Sequence, residues 1–483
     1  MSLTKAIISI TILLVSSCVS AADKVIIIGG GPYPTESQAS IEINTKWIID
    51  VINKRTSAKI TDILYTDGNN PAVDVYRHVE NSPDISAYEP LARVYGKQRE
   101  NSEEFYSSKI ENNNGPITHA SVVNALKSGF NSLGTSDTLF LIFQGHGNAN
   151  LKNFNANYFY LLGDDKLTVT DLGKLISGAP QHSTIRFLFP QCYSGAFTNL
   201  MYRDQNPQKG LTPANVCGFT AQRNDLPSEG CTPSVNTDTY RDYSSYLFSA
   251  LSGNTIDGKP LSGNPDINHD GHVSLREAHL YTLGHAFSVD YSRATSEDYV
   301  EHWLPWYLKW IPDNSEPDNI YMHIAAEIAS QYNLSGHGNA LIHNVSLRMT
   351  QLDSELDTIE NSRRDLTTAI RKAQSSLKHE LSRQWPQLDL PYTLQYSQLV
   401  YHNLDEINHF IRNQKYYPDL VMNQDKDAEL ETRSLNARRE LAQMLKILRM
   451  RKLGRTLELF NRYASDLQKT EYSRLVTCED AKL

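Results

Sequence analysis

Two apolar runs in this chain each stop at a side chain that can move a proton or attack a carbonyl. The first, LFLIFQGHG, delivers His146, and the second, IRFLFPQCYSG, delivers Cys192. Both residues are followed by glycines, Gly147 and Gly195, which let a substrate backbone come close and leave N–H groups open. A reactive thiol needs a neighbouring base or cation, and acyl transfer needs N–H donors for the developing oxyanion. Cys192 as nucleophile, His146 as general base and acid, and the amides of Gly147 and Cys192 as donors would make a complete set. Taken singly, a cysteine after an apolar run is usually a buried small hydrophobe. It is the pairing, on two strands of one sheet, that singles these two out.

A second constellation calls for a hard cation. DINHDGHVSLRE matches the twelve-residue calcium-loop pattern D-x-[DN]-x-[DN]-G-x5-E. Asp266, Asn268 and Asp270 offer side-chain oxygens, His272 its carbonyl, Ser274 a direct or water-borne contact, and Glu277 a bidentate carboxylate, with Gly271 at the sharp turn. The preceding GKPLSGNP cannot form an entering helix, whereas LREAHLYTLGHAF can form the exiting one. A single loop of this kind implies a structural calcium ion rather than a sensor.

The elements that must position these residues alternate between strand and helix. DKVIIIGG, ITDILYTDG, TLFLIFQG, STIRFLFP and VCGFT read as strands. ESQASIEINTKWIIDVINKR, HASVVNALKSGFNSL, TVTDLGKLISG (capped by Thr168 or Thr170) and YRDYSSYLFSALSG (ending at Gly253) read as helices. Such alternation predicts an α/β layer fold with a mostly parallel sheet, whose ligand site lies beyond the carboxyl ends of the strands. Residues 69–114 show no periodicity and read as a long loop. From about residue 311 the pattern is helical only, with Leu352, Leu356, Ile359, Leu366, Ile370, Ala373, Leu377 and Leu381 at helical steps, as in a helical hairpin or bundle.

Lys5, the apolar residues 6–15 and the small residues of VSAAD have the layout of a signal peptide over 1–22. They predict an exported chain, periplasmic or secreted; VSSC before Cys18 offers the alternative of a lipoprotein anchored at that cysteine. The formal net charge of −9 excludes the basic footprint of a nucleic-acid binder. Cys217 and Cys231, close in sequence, are candidates for a disulfide in an oxidising compartment, with Cys478 left over. The expected organisation is thus a leader (1–22), a catalytic domain (23–310) carrying the calcium loop at 266–277, and a helical domain (311–483).

The Cys–His pair resembles the caspase–legumain clan of cysteine peptidases. QCYSG stands beside the caspase signature Q-A-C-[RQG]-G, whose histidine lies about 50 residues upstream; here 192 − 146 = 46. The opening VIIIGGGPYPTESQAS, the strand ILYTDG, the segment FTAQRNDLPSEGC and the helical region behind the catalytic one are similar to legumain. The resemblance covers residues 24–251. It implies a caspase-like open sheet followed by an all-α region, a thioester acyl-enzyme on Cys192, and a polypeptide substrate. Legumain's Asn in the first strand–helix turn has no counterpart in GGGPYPTES, so no third catalytic member is assigned. By the same resemblance Glu36, Ser228 and Asp242 line the substrate pocket, an acidic set suited to Arg or Lys, while Glu36 has the plainer role of a first-turn carboxylate at a helix dipole. The helical region either covers the site until removed or recruits a protein partner. Two other functions fit the same residues: a catalytically silent or peptide-binding module on this fold, and a transamidase that resolves the thioester with an amine.

Overall fold

The structure, a computed structural model, describes residues 23–79, 83–96, 103–310 and 316–482. The expected leader (1–22), with Cys18, lies outside the described residues. Six strands form the central sheet in the order β11-β10-β9-β5-β1-β2. They are β1 (Asp23–Gly30), β2 (Lys59–Tyr65), β5 (Thr138–Gly145), β9 (Thr184–Phe189), β10 (Asn215–Thr220) and β11 (Arg293–Ala294), all parallel except β11 against β10. The strands read as unbroken apolar runs because both faces are covered. Ile26, Ile28, Leu139, Leu141, Ile185 and Phe187 point to one side, onto α3 (His119–Asn131) and α4 (Val169–Ile176). Val25, Ile27, Phe140, Ile142 and Leu188 point to the other, onto α1 (Ala39–Arg55), α5 (Tyr243–Ser252) and α6 (Leu275–His285). Thr168 caps α4 through the Asp171 amide, and Gly253 ends α5 in a left-handed conformation.

Residues 69–114 are not one loop. They hold β3 (Val75–His78), α2 (Pro83–Tyr95) and β4 (Glu103–Tyr106), with β3 and β4 paired antiparallel. Leu91 and Val94 of α2 bury against Leu377, Leu381, Ile407, Ile411 and Leu420. Those partners lie about 280 to 330 residues away, so local periodicity carried no trace of them.

The helical region comprises α8 (Ile320–Gln331), α9 (Gly338–Gln384), α10 (Leu394–Arg412), α11 (Tyr417–Tyr463) and α12 (Asp466–Glu479). The two longest have 47 residues each, about 70 Å at 1.5 Å per residue. Ion pairs Arg348–Glu440, Glu355–Arg433 and Arg363–Asp427 fall in opposite order along the two chains, so α9 and α11 run antiparallel. The base of this hairpin shares a core with the α/β layer. Met201, Tyr202, Leu280, Leu283 and Val300 meet Ile324, Val345, Met444, Ile447 and Leu475 in one buried cluster. Arg449 of α11 is buried between Glu297 and Glu301 of α7 (Thr295–Trp303), and Glu297 also meets His279.

One expected pairing is corrected. Cys217 of β10 is bonded to Cys478 of α12, and Cys231 is a free, exposed thiol. The reason is packing. α12 lies over β9 and β10, where Arg186 donates to the Cys478 carbonyl and the buried Glu479 accepts from Thr295 and Ser296. That brings Cys478 onto Cys217, whereas Cys231 sits on a surface loop.

Candidate active site

The register of the sheet brings His146 and Cys192 together. β5 pairs with β9 from Thr138↔Thr184 to Ile142↔Leu188, an offset of 188 − 142 = 46 residues. His146 and Cys192 stand at the same offset, one and three residues beyond Gly145 and Phe189, the last residues of these adjacent strands. Gly147 confirms that the two segments stay in contact past the sheet: a Cβ there would lie 2.6 Å from the Cys192 carbonyl oxygen and 2.6 Å from Gln191 Cγ. Only glycine fits. Beyond Cys192 the chain turns through Tyr193 at φ 59° into the 3-10 turn Ser194–Met201. Asn157 fixes that elbow, donating to the Tyr193 and Asn224 carbonyls.

His146 Nε2 lies 2.8 Å from the Glu36 carbonyl oxygen and 2.9 Å from Gln38 Oε1. A carbonyl can only accept, so Nε2 carries the proton and the lone pair of the neutral ring is on Nδ1. Nδ1 has no protein partner among the described residues. Burial pushes the His146 pKa below its ordinary 6.5, against the pull of the Glu36 carbonyl. The Cys192 sulfur accepts the Ser228 amide at 3.2 Å. Burial raises the thiol above its ordinary 9.0, partly offset by that amide. At neutral pH both groups are therefore uncharged, a thiol and an unprotonated imidazole.

The Gly147 and Cys192 amides, expected to face an oxyanion, can be traced. Gly147 and Asn148 form the short strand β6, paired antiparallel with β7 (Tyr158–Tyr160). The Tyr160 amide donates to the His146 carbonyl. Alternate residues of such a ladder turn their N–H groups away from the partner, so the Gly147 amide is not used by β7. The Cys192 amide donates to no carbonyl among the described residues.

The expected pocket residues are arranged differently from one another. Glu36 presents its carbonyl to His146 while its side chain is exposed. Asp242 is buried as the N-cap of α5, its two oxygens taken by the Ser245 amide and the Ser244 and Ser245 hydroxyls. Ser228 adjoins the sulfur, and its hydroxyl donates to Asp290 at 2.7 Å. No hydrogen bond joins Glu36 to Asp242 or Ser228 among the described residues. Sequence reasoning missed Gln38, Asp290 and the Glu36 carbonyl. A main-chain oxygen leaves no mark on residue type, and Asp290 lies about 100 residues from Cys192. Gln191 is also buried beside the site, with neither end of its amide paired.

The segment 266–277, expected to bind calcium, is curled as its composition requires. Asp266 accepts the amides of Asp270 and Gly271, Asn268 that of Asp270, and Asp270 that of His272. Gly271 takes φ 85°. Glu277 Oε1 reaches across to the Ile267 and Asn268 amides at 3.0 Å, and Ser274 caps α6. No helix precedes the loop. The hard oxygen donors suit calcium, but among the described residues no three His, Cys, Asp or Glu side chains converge on one point. Asp270 instead pairs with Lys482 at 2.9 Å, and Ser274 donates to Asp480.

No family model and no curated protein matches this chain. Among solved structures, protein GSU0716 from Geobacter sulfurreducens is similar over 56% of this chain and 93% of its own, with 11% identity and a TM-score of 0.31. A likeness at that level carries no functional inference.

Proposed function

We propose that this chain is a cysteine endopeptidase of the caspase–legumain type, acting through Cys192 and His146 and stiffened by calcium at 266–277. The observation that carries the reading is the shared register of the two residues at the carboxyl edge of the sheet, with Nε2 of His146 held by a carbonyl. His146 Nδ1 takes the thiol proton as the sulfur adds to the scissile carbonyl. The Gly147 and Cys192 amides stabilise the oxyanion. The C–N bond then breaks, the amine leaves with the proton from His146, and water hydrolyses the thioester. Calcium, when bound, would be held by Asp266, Asn268, Asp270, His272, Ser274 and Glu277 and would tie the loop to α6. The Cys217–Cys478 disulfide supports export to an oxidising compartment. No helix among the described residues is long and apolar enough to cross a membrane.

Labelling with a thiol-directed peptide probe tests the reading. Cys192 should be modified in the wild type and labelling lost in Cys192→Ala. His146→Ala should lose nearly as much, because base and nucleophile act as a unit. Undiminished labelling in His146→Ala would overturn the assignment. Product analysis in the presence of an added amine separates hydrolysis from transamidation.

A further inference from the structure

The face of α11 that meets the α/β layer carries Arg439, Gln443 and Lys446, spaced four and three residues apart. Arg439 Nε lies 3.0 and 3.2 Å from the two carboxylate oxygens of Glu229, with a closer contact from Nη2. Gln443 donates to the Ala286 and Ser288 carbonyls, and Lys446 to Ala286. Glu229 in turn accepts the Val289 amide at 3.1 Å. Asp290, next along, accepts the Glu229 amide at 2.8 Å and the Ser228 hydroxyl at 2.7 Å. The Ser228 amide is the donor on the Cys192 sulfur. Three links therefore run from the helical hairpin to the nucleophile, while no hydrogen bond or ion pair joins α11 to Cys192 or His146 among the described residues.

We propose that this face of α11 is a positioning element for Cys192. Arg439, through Glu229, holds the 228–229 segment so that the Ser228 amide stays on the sulfur. The inference rests on reading Cys192 as the nucleophile, and it gives the helical region a part in setting that thiol's reactivity rather than in covering it. An amide directed at the sulfur favours the thiolate over the thiol. If the segment is released, ionisation of Cys192 becomes harder.

The test is the pH dependence of Cys192 alkylation by iodoacetamide in the full chain, read by peptide mass mapping. A thermal melt of each variant reports that the fold is intact, and exposed Cys231 in the same digest checks that the reagent was active. Glu229→Gln is the deciding variant, because it keeps an acceptor for the Val289 amide and loses the charge that Arg439 grips. Removing a nearby negative charge should by Coulomb's law ease ionisation of the thiol. Release of the segment predicts the opposite, an upward shift of the Cys192 profile and about tenfold slower alkylation near neutral pH, the size of one charge-assisted hydrogen bond. Arg439→Met should move in the same direction, and Arg439→Lys should recover part of the loss. A Glu229→Gln profile that is unchanged or shifted downward would overturn the proposal. Peptide hydrolysis does not enter this readout. A chain with no peptidase activity but a shifted profile would sink the peptidase reading and leave the positioning role standing.

Discussion

Reducing the Cys217–Cys478 bond should lower the melting temperature by about 5–6 °C, as worked here from loop closure and unfolding entropy. The bond joins β10 to α12 across a sequence separation of 261. Closing a loop of that length removes about 19 cal/mol/K from the unfolded chain, about 5.6 kcal/mol at 25 °C on the chain-entropy account. At about 2.1 cal/mol/K per residue, the unfolding entropy of 483 residues is about 1.0 kcal/mol/K, which sets the shift. Both sulfurs are buried, so the thiols left by reduction stay packed, and what is lost is the crosslink rather than a filled site. The assay is a thermal melt with and without reductant, repeated on Cys217→Ser with Cys478→Ser. Non-reducing peptide mapping should show Cys231 unlinked. A Cys217–Cys231 peptide, or a melt unmoved by complete reduction, would refute the reasoning. The same bond bears on the helical region: cutting the chain between α7 and α8 would leave that region covalently attached to the sheet.

The acid limb of the probe-inactivation rate should have its midpoint below pH 6.5, because burial lowers the His146 pKa and only the neutral ring is a base; a midpoint at or above pH 7 would contradict the burial argument. Gly147→Ala forces a methyl group to within 2.6 Å of the Cys192 carbonyl, and displacing Cys192 should slow labelling by about 100-fold; a wild-type rate would show that the two segments do not meet as described. Arg449→Met removes the buried cation between Glu297 and Glu301, leaving them only His279 and Arg293, and should cost about 3 kcal/mol in denaturant unfolding, so a loss under 1 kcal/mol would deny Arg449 that role. Calcium at a hundredfold excess over its dissociation constant should add about 2.7 kcal/mol to stability, and Asp266→Ala with Glu277→Ala should abolish that gain; a wild-type melt insensitive to chelator would remove calcium from the account.

The sequence by itself determined the α/β layer, because strands buried on both faces must be apolar throughout and helices covering them must show a stripe. It also determined which side chains follow β5 and β9, since a reactive residue after an apolar run is visible in one dimension. The sequence spacing of His146 and Cys192 even equals the register offset of the two strands, although nothing in one dimension says that the strands are neighbours. Tertiary structure alone decided the rest. Cys478 reaches Cys217 because α12 lies on the sheet, a contact that depends on the packing of every helix before it. Residues 83–95 become a helix only because the far end of the hairpin offers Leu377, Leu381 and Ile407 to cover Leu91 and Val94. Glu36 matters to His146 through its carbonyl, which any residue would supply. Asp242, conspicuous as a charge, is spent on capping α5, while Asp290 holds Ser228 beside the sulfur. Hydrophobic periodicity is local and survives in the sequence, whereas hydrogen bonds between distant backbone segments depend on where the chain has gone.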